Sequence, residues 1–214
     1  MFFLYLAIAI LVGYLMGSIP TSLIISKTKF HIDIRDYGSK NLGGTNTGRV
    51  LGRKWGAITY VLDVLKTALP VLVISLILKA MKVEDYEAIV YAAGCASLIG
   101  HCYPVFAQFK GGKAVACSFG FLLSTNIVLF VIALVTIIAV VLVKKYVSLG
   151  SMISIFIASV FSLLPTFRDT MNFYLDNYSY MYSFTLFVIT IFVVIRHKKN
   201  LIRLLKGEEN KVKI

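Results

Sequence analysis

Between Gly38 and Arg49 the chain reads Gly-Ser-Lys-Asn-Leu-Gly-Gly-Thr-Asn-Thr-Gly-Arg. Four glycines, five hydroxyl or amide side chains and two cations share these twelve residues. Such a stretch cannot form an apolar core. It can cradle an anion: glycine lets successive backbone N–H groups converge, Ser, Thr and Asn add neutral donors, and Arg supplies a planar fork. Ser39, Asn41, Gly43, Gly44, Thr45, Asn46 and Arg49 are the candidate phosphate ligands. The Gly-Lys-Ser/Thr ending of a nucleotide-binding P-loop is missing, which disfavours a mononucleotide site.

A second cationic glycine block is Phe109-Lys-Gly-Gly-Lys113. Lys110, Gly111, Gly112 and Lys113 stand just before a helix start, a position suited to anions. His101, shortly upstream, reads as a satisfied polar side chain at a span end. Ser148 lies where a helix should begin and reads as its N-cap, with a hydroxyl that could also serve a ligand. In the basic tail, His197, Asn200 and Arg203 share one helical face, while the neighbouring lysines fit a basic amphipathic helix on lipid. Asp63 and Lys66, three apart in an apolar segment, read as a structural ion pair. Gly17-Ser-Ile-Pro20-Thr-Ser22 predicts a kink inside the first segment. His31 and Asp36 match the His-x₄-Asp spacing of many glycerolipid acyltransferases, but the companion motifs of those enzymes are absent and the match is set aside.

The elements that must position these groups are apolar helices. The chain has 214 residues, 58% of them hydrophobic, and a mean hydropathy of +0.84. These values exclude an ordinary soluble domain. Seven apolar segments span Met1–Ile25, Trp55–Leu78, Tyr86–Phe106, Ala114–Ser124, Ile127–Val143, Ser148–Phe167 and Ser179–Ile195. The expected fold is one all-α domain over residues 1–214, a polytopic membrane bundle of seven transmembrane helices. The fourth segment is short for a bilayer and would pair with the fifth if it did not cross.

The net charge of +12 would suggest nucleic acid in a soluble chain. Here, with seven crossings, eighteen of the 22 Lys and Arg residues fall on one face. That bias puts the N-terminus outside and the C-terminus in the cytoplasm, with the polar constellations on the cytoplasmic side. Met1–Ile25 lacks a basic leader and a cleavage site, so it reads as a retained span. Three cysteines in apolar surroundings argue against a disulfide framework or a zinc site. No internal repeat is visible, which weakens an organophosphate transporter, the chief alternative; a scaffold for anionic lipid would need only the basic tail.

Taken in order, the polar blocks resemble the acyl-phosphate:glycerol-3-phosphate acyltransferase family (PlsY) of bacterial membranes. The matching residues are Gly17-Ser-Ile-Pro20, Asp33-Ile-Arg35, Gly38-Ser39, Asn41, Thr45-Asn46, Arg49, Leu62-Asp63, Lys66, Gly100-His101, Pro104, Phe109–Lys113, Val147–Ser151 and Arg196–Leu205. Ala114 stands where the family usually has glycine, and Gly44 where it often has alanine. The resemblance implies a cytoplasmic-face site in the bacterial cell membrane, with no metal or organic cofactor. It implies acyl transfer from acyl phosphate to the sn-1 hydroxyl of glycerol 3-phosphate, giving lysophosphatidic acid and phosphate. It assigns Ser39, Arg49, His197 and Asn200 to catalysis, and Lys110 or Lys113 with Ser148 to a phosphate. The base stays open between His197, His101 and a substrate phosphate. No nucleic acid is expected as a partner, and neither oligomeric state nor acyl-chain preference is legible.

Overall fold

The computed structural model describes residues 1–169, 175 and 180–212. Ser179, the expected start of the last apolar segment, and Lys213 of the basic tail lie outside the described residues. Every secondary-structure element among the described residues is helical. The chain forms two compact units, Met1–Ser124 and Thr125–Ile214.

In the first unit, α1 (Phe2–Gly17) stops at Ser18-Ile19-Pro20 and α2 (Thr21–Phe30) resumes. Proline has no N–H to donate and its ring crowds the preceding turn, so the expected kink interrupts the helical bonds at Ser18–Pro20 within the stretch Phe2–Phe30. Helix continues five residues beyond the expected Ile25, carrying Lys27 and Lys29 on α2 rather than on a loop. His31, with φ of 55°, ends α2 in the left-handed region. A short 3₁₀ turn (Ile34–Asp36) leads to α3 (Gly44–Leu51), then α4 (Arg53–Ala80) and α5 (Tyr86–Cys102). After a 3₁₀ turn at Val105–Ala107 comes α6 (Val115–Thr125).

Small residues set the helix spacing. A Cβ at Gly13 would collide with the Ala93 carbonyl, and one at Gly17 with that of Ser97. A Cβ at Gly100 would strike the Tyr14 carbonyl, so α1 and α5 run backbone against backbone. Gly120 lets α6 approach the Val64 carbonyl of α4 in the same way. In lipid, where burial of apolar surface does little to hold helices together, this close van der Waals contact carries much of the association.

The second unit holds α7 (Ile127–Lys144), α8 (Val147–Phe161), α9 (Pro165–Arg168), α10 (Tyr180–Arg196) and α11 (Lys198–Leu205). The expected sixth segment ends as helix at Phe161, before a turn and the separate α9. Polar contacts tie α8 to α10: Ser159 and Thr190 hydroxyls lie 2.8 Å apart, and the Ser183 hydroxyl donates to the Ser162 carbonyl at 2.8 Å. Asn126 caps α7, its Oδ1 accepting from Leu129 N at 2.9 Å, while its amide donates to the Phe167 and Arg168 carbonyls.

Among the described residues four helical stretches are long and apolar enough to cross a membrane: Phe2–Phe30, Arg53–Ala80, Tyr86–Ala107 and Ile127–Lys144. A fifth follows if α10 and α11, bent by 65°, count as one span. The other two expected spans, α6 and α8, are shorter apolar helices.

Candidate active site

The Gly38–Arg49 stretch is half loop and half helix. Its apolar anchor is Leu42, buried with Leu23, Ile34 and Ala107. Gly38 adopts φ of +60°, the left-handed region that glycine tolerates. Gly44 and Gly48 act differently, because their faces lie against Gly56 of α4 and so dock α3 onto α4. Gly43 alone among the four has open space where a Cβ would be, and it forms the N-cap of α3 without a side-chain cap bond. Asn46 is 2% exposed and organises the loop. Its Oδ1 accepts from Ser39 N at 2.7 Å and its amide donates to the Tyr37 carbonyl at 3.2 Å. The Asn41 amide donates to the Ser39 carbonyl at 3.3 Å. Ser39, Thr45 and Arg49 are exposed. The candidate phosphate donors therefore divide into a buried organiser, Asn46, and an exposed set around the open Gly43.

Arg35 lies beside this loop but is already matched. Its guanidinium donates to both Asp33 oxygens, from Nε at 2.9 Å and from a terminal nitrogen at 2.6 Å. That fork holds the Asp33 carboxyl well below the usual carboxylate range, and Lys27 at 3.5 Å adds to it. His31 and Asp36, the pair set aside above, are both exposed.

The second glycine block continues from α5. Gln108, Phe109 and Ala114 all take positive φ (57°, 58° and 62°), which is uncommon for residues with a Cβ. Gly112 N donates to the His101 carbonyl at 3.1 Å, and a Cβ at Gly112 would collide with His101 Nε2 and lie 2.7 Å from the Leu42 carbonyl. The two glycine blocks thus touch through Leu42 and Gly112. Lys110 is exposed.

Beneath them is a buried polar cluster. Lys66 Nζ is 2.8 Å from Asp63 Oδ1 and donates to the Ile19 carbonyl at 2.8 Å. The break before Pro20 leaves that carbonyl without a helical partner, and it accepts instead from Lys66 and from Thr21 N at 3.1 Å. The Thr21 hydroxyl donates to the same Asp63 oxygen, and His101 Nδ1 lies 3.7 Å from it. A cavity of about 10 Å³, the size of one water, is lined by Thr21, Leu42, Asp63, Lys66 and His101 among others. The ion pair was readable from its spacing. That it underlies both glycine blocks was not, because His101 and the Ser18–Pro20 break are remote in sequence.

In the second unit Ser148 does not cap α8; Tyr146 holds that position and Ser148 is the second helical residue. Its hydroxyl donates to Glu209 Oε1 at 2.9 Å. Asn200 Nδ2 donates to the same oxygen at 2.7 Å, and Arg203 Nε to Glu209 Oε2 at 2.7 Å. Burial alone would raise the Glu209 pKa, but the donors Arg203, Asn200 and Ser148 outweigh it and hold the carboxyl below its ordinary value. Sequence reading missed Glu209, because its partners lie 6, 9 and 61 residues away. His197 is 3% exposed and its Nδ1 sits 2.8 Å from the Val193 carbonyl. A carbonyl only accepts, so Nδ1 carries a hydrogen and donates it to Val193.

Comparison with known proteins gives one answer. Residues 7–207 match the family model described as glycerol-3-phosphate acyltransferase. The glycerol-3-phosphate acyltransferase of Macrococcus caseolyticus is 38% identical over 207 residues, covering 97% of each chain. That of Acholeplasma laidlawii is 36% identical, covering 98% of this chain and 94% of the relative. Among solved structures, the glycerol 3-phosphate form of PlsY (YgiH), an integral membrane glycerol 3-phosphate acyltransferase, aligns with a TM-score of 0.84 at 32% identity, covering 97% and 96% of the two chains. Its lysophosphatidic acid form aligns at 0.81 and 30% identity. Matched by the family model over residues 7–207 and by relatives over 97% or more of its length, this chain belongs to the glycerol-3-phosphate acyltransferase (PlsY) family.

Proposed function

We propose that the protein transfers a fatty acyl group from acyl phosphate to the sn-1 hydroxyl of glycerol 3-phosphate at the cytoplasmic face of the bacterial cell membrane. The observation that carries this reading is the exposed set Ser39, Thr45 and Arg49 around the open Gly43. It suits a phosphate monoester, and the relatives' names supply the acceptor. The glycerol oxygen attacks the acyl carbonyl carbon, the bond from that carbon to the phosphate oxygen breaks, and inorganic phosphate leaves with its electron pair. Phosphate is a competent leaving group, so the protein's work is alignment and charge stabilisation.

In this reading Arg49, Ser39 and the N–H groups that open α3 hold a substrate phosphate, and Lys110 or Lys113 adds charge to a second one. Asn46 contributes by fixing the loop. Within the second unit Ser148 and Asn200 are the proposed substrate ligands, and His197 is the proposed acceptor of the hydroxyl proton. Seven crossings with the N-terminus outside would require α6 and α8 to cross as well, which at about 1.5 Å per residue makes both short for a bilayer.

Purified protein in detergent is expected to release phosphate from acyl phosphate only when glycerol 3-phosphate is present, with lysophosphatidic acid as the other product. EDTA is expected to leave the rate unchanged, because Arg and Lys side chains balance the phosphate charge and the carboxylates Asp33, Asp63 and Glu209 are each already paired with a cation. Uptake of an organophosphate into vesicles without any product would refute the proposal in favour of transport. Cysteine probes at positions 40 and 208 labelling from opposite faces would refute the topology.

A further inference from the structure

His101 is a buried imidazole that the catalytic reading leaves unused, and its surroundings give it a different role. It sits in the last turn of α5, 6% exposed. One ring nitrogen, Nδ1, faces the Asp63 carboxylate at 3.7 Å. That carboxylate is itself fixed by Lys66 at 2.8 Å and by the Thr21 hydroxyl. The other, Nε2, lies directly against Gly112, where any Cβ would strike it. The histidine's backbone takes the same loop: its carbonyl accepts from Gly112 N at 3.1 Å, and a Cβ at Gly111 would collide with that carbonyl. The Phe109–Lys113 loop is thereby seated on His101 through both ring and main chain. Three positive-φ residues with side chains, Gln108, Phe109 and Ala114, frame the loop, a conformation that persists only if something over-determines it.

A proton acceptor must reach substrate. His101 instead has its outward nitrogen covered by the loop backbone and its inward one turned to a buried ion pair.

We propose that His101, held by Asp63, Lys66 and Thr21, is a positioning residue that sets the pose of the Phe109–Lys113 loop and hence its grip on a substrate phosphate. The inference rests on the acyltransferase reading and names a control element within that site.

The test is steady-state kinetics on purified His101→Ala, His101→Gln and Asp63→Asn. A misplaced loop weakens phosphate capture more than chemistry, so KM for a phosphorylated substrate should rise about tenfold in His101→Ala, with kcat changing less. His101→Gln, whose amide approaches the position of Nε2, should recover part of the loss. The near-isosteric Asp63→Asn carries the same test if the alanine variant does not fold. A kcat loss as large as the KM rise, or unchanged kinetics in all three, overturns the proposal. Absence of turnover in the parent protein would instead refute the acyltransferase reading. Titration calorimetry with glycerol 3-phosphate and inorganic phosphate would then still report whether His101 controls anion binding.

Discussion

The glycine blocks of the first unit and the tail of the second unit both concentrate polar donors, but they hold them in opposite ways. Around Gly43 the donors Ser39, Thr45 and Arg49 are exposed, and the buried side chain, Asn46, is spent on the loop. In the tail, Ser148 and Asn200 are buried and already joined by the Glu209 carboxylate. The first arrangement leaves charge for a ligand to neutralise. The second is a charge-balanced frame that fixes where Asn200 and the neighbouring His197 stand. Function needs both kinds: groups whose solvation a phosphate can replace, and groups whose orientation is settled before substrate arrives.

The largest effect should therefore come from the exposed set. Arg49→Ala removes the exposed cation proposed to hold a substrate phosphate and should lower kcat/KM by about 10²–10³-fold, with the fold intact by circular dichroism. Arg49→Lys keeps the charge but loses the fork and should recover only part of that. Alanine at both Lys198 and Lys199, which are assigned to lipid, should cost much less. Near-normal turnover in Arg49→Ala would erase the contrast between the regions.

Next comes the frame. Glu209→Ala strands the buried Ser148 and Asn200 donors, a loss of about 1–3 kcal/mol in stability, with activity falling alongside. Glu209→Gln, which keeps the shape, should lose less. The pH dependence sharpens this. The Glu209 pKa is depressed in the folded protein, so its stabilising contribution is complete above the ordinary value of 4.5 and is lost as pH falls through the folded value. Thermal unfolding followed below pH 4.5 should thus show a steeper decline in the parent than in Glu209→Gln. Parallel curves would show that the carboxylate does not hold the tail.

How far each region was legible follows from the same contrast. Asp63 and Lys66 are three residues apart on one helix, and that local spacing let the ion pair be read directly. That the residues near Gly43 form a polar stretch with exposed donors was legible from composition, since Ser39, Thr45 and Arg49 have little apolar surface to bury. Glu209 was not, since its partners become neighbours only after the chain returns from α8 to α11. Gly44 and Gly48 were read as part of an anion cradle, yet their bare faces serve helix docking, which depends on Gly56 opposite them. The kink at Pro20 was legible from the proline, but that Lys66 of another helix bonds the Ile19 carbonyl there was not. Helix type, approximate segment positions and the shortness of α6 came from hydropathy, while the end of α8 at Phe161, before the expected Phe167, did not.

Gly43→Ala tests the exposed region with a milder change. No atom lies within 4 Å of the added Cβ and φ is −164°, so folding should be unaffected. A phosphate approaching the backbone there would meet the methyl, and KM for one phosphorylated substrate should rise roughly threefold to tenfold. An unchanged KM would mean that ligand does not approach this backbone.

The smallest effect should come from Ala114, where the chain departs from the glycine usual in its family. The residue is fully buried at the junction of the Phe109–Lys113 loop with α6, and its φ is +62°. An L-residue there places its Cβ too near the following carbonyl oxygen, at a cost of about 1–2 kcal/mol that glycine avoids. Glycine in turn loses more backbone entropy on folding, roughly 0.5–1 kcal/mol, so the two terms partly cancel. Ala114→Gly also gives up a fully buried methyl, about 0.8 kcal/mol, so stability should change by less than about 1 kcal/mol and the melting temperature should hardly move. Because the loop's pose is set upstream by His101 and Gly112, kcat and both KM values should stay within about twofold. A large KM change in Ala114→Gly would instead show that strain at the start of α6, and not the seat on His101, sets how the loop meets phosphate.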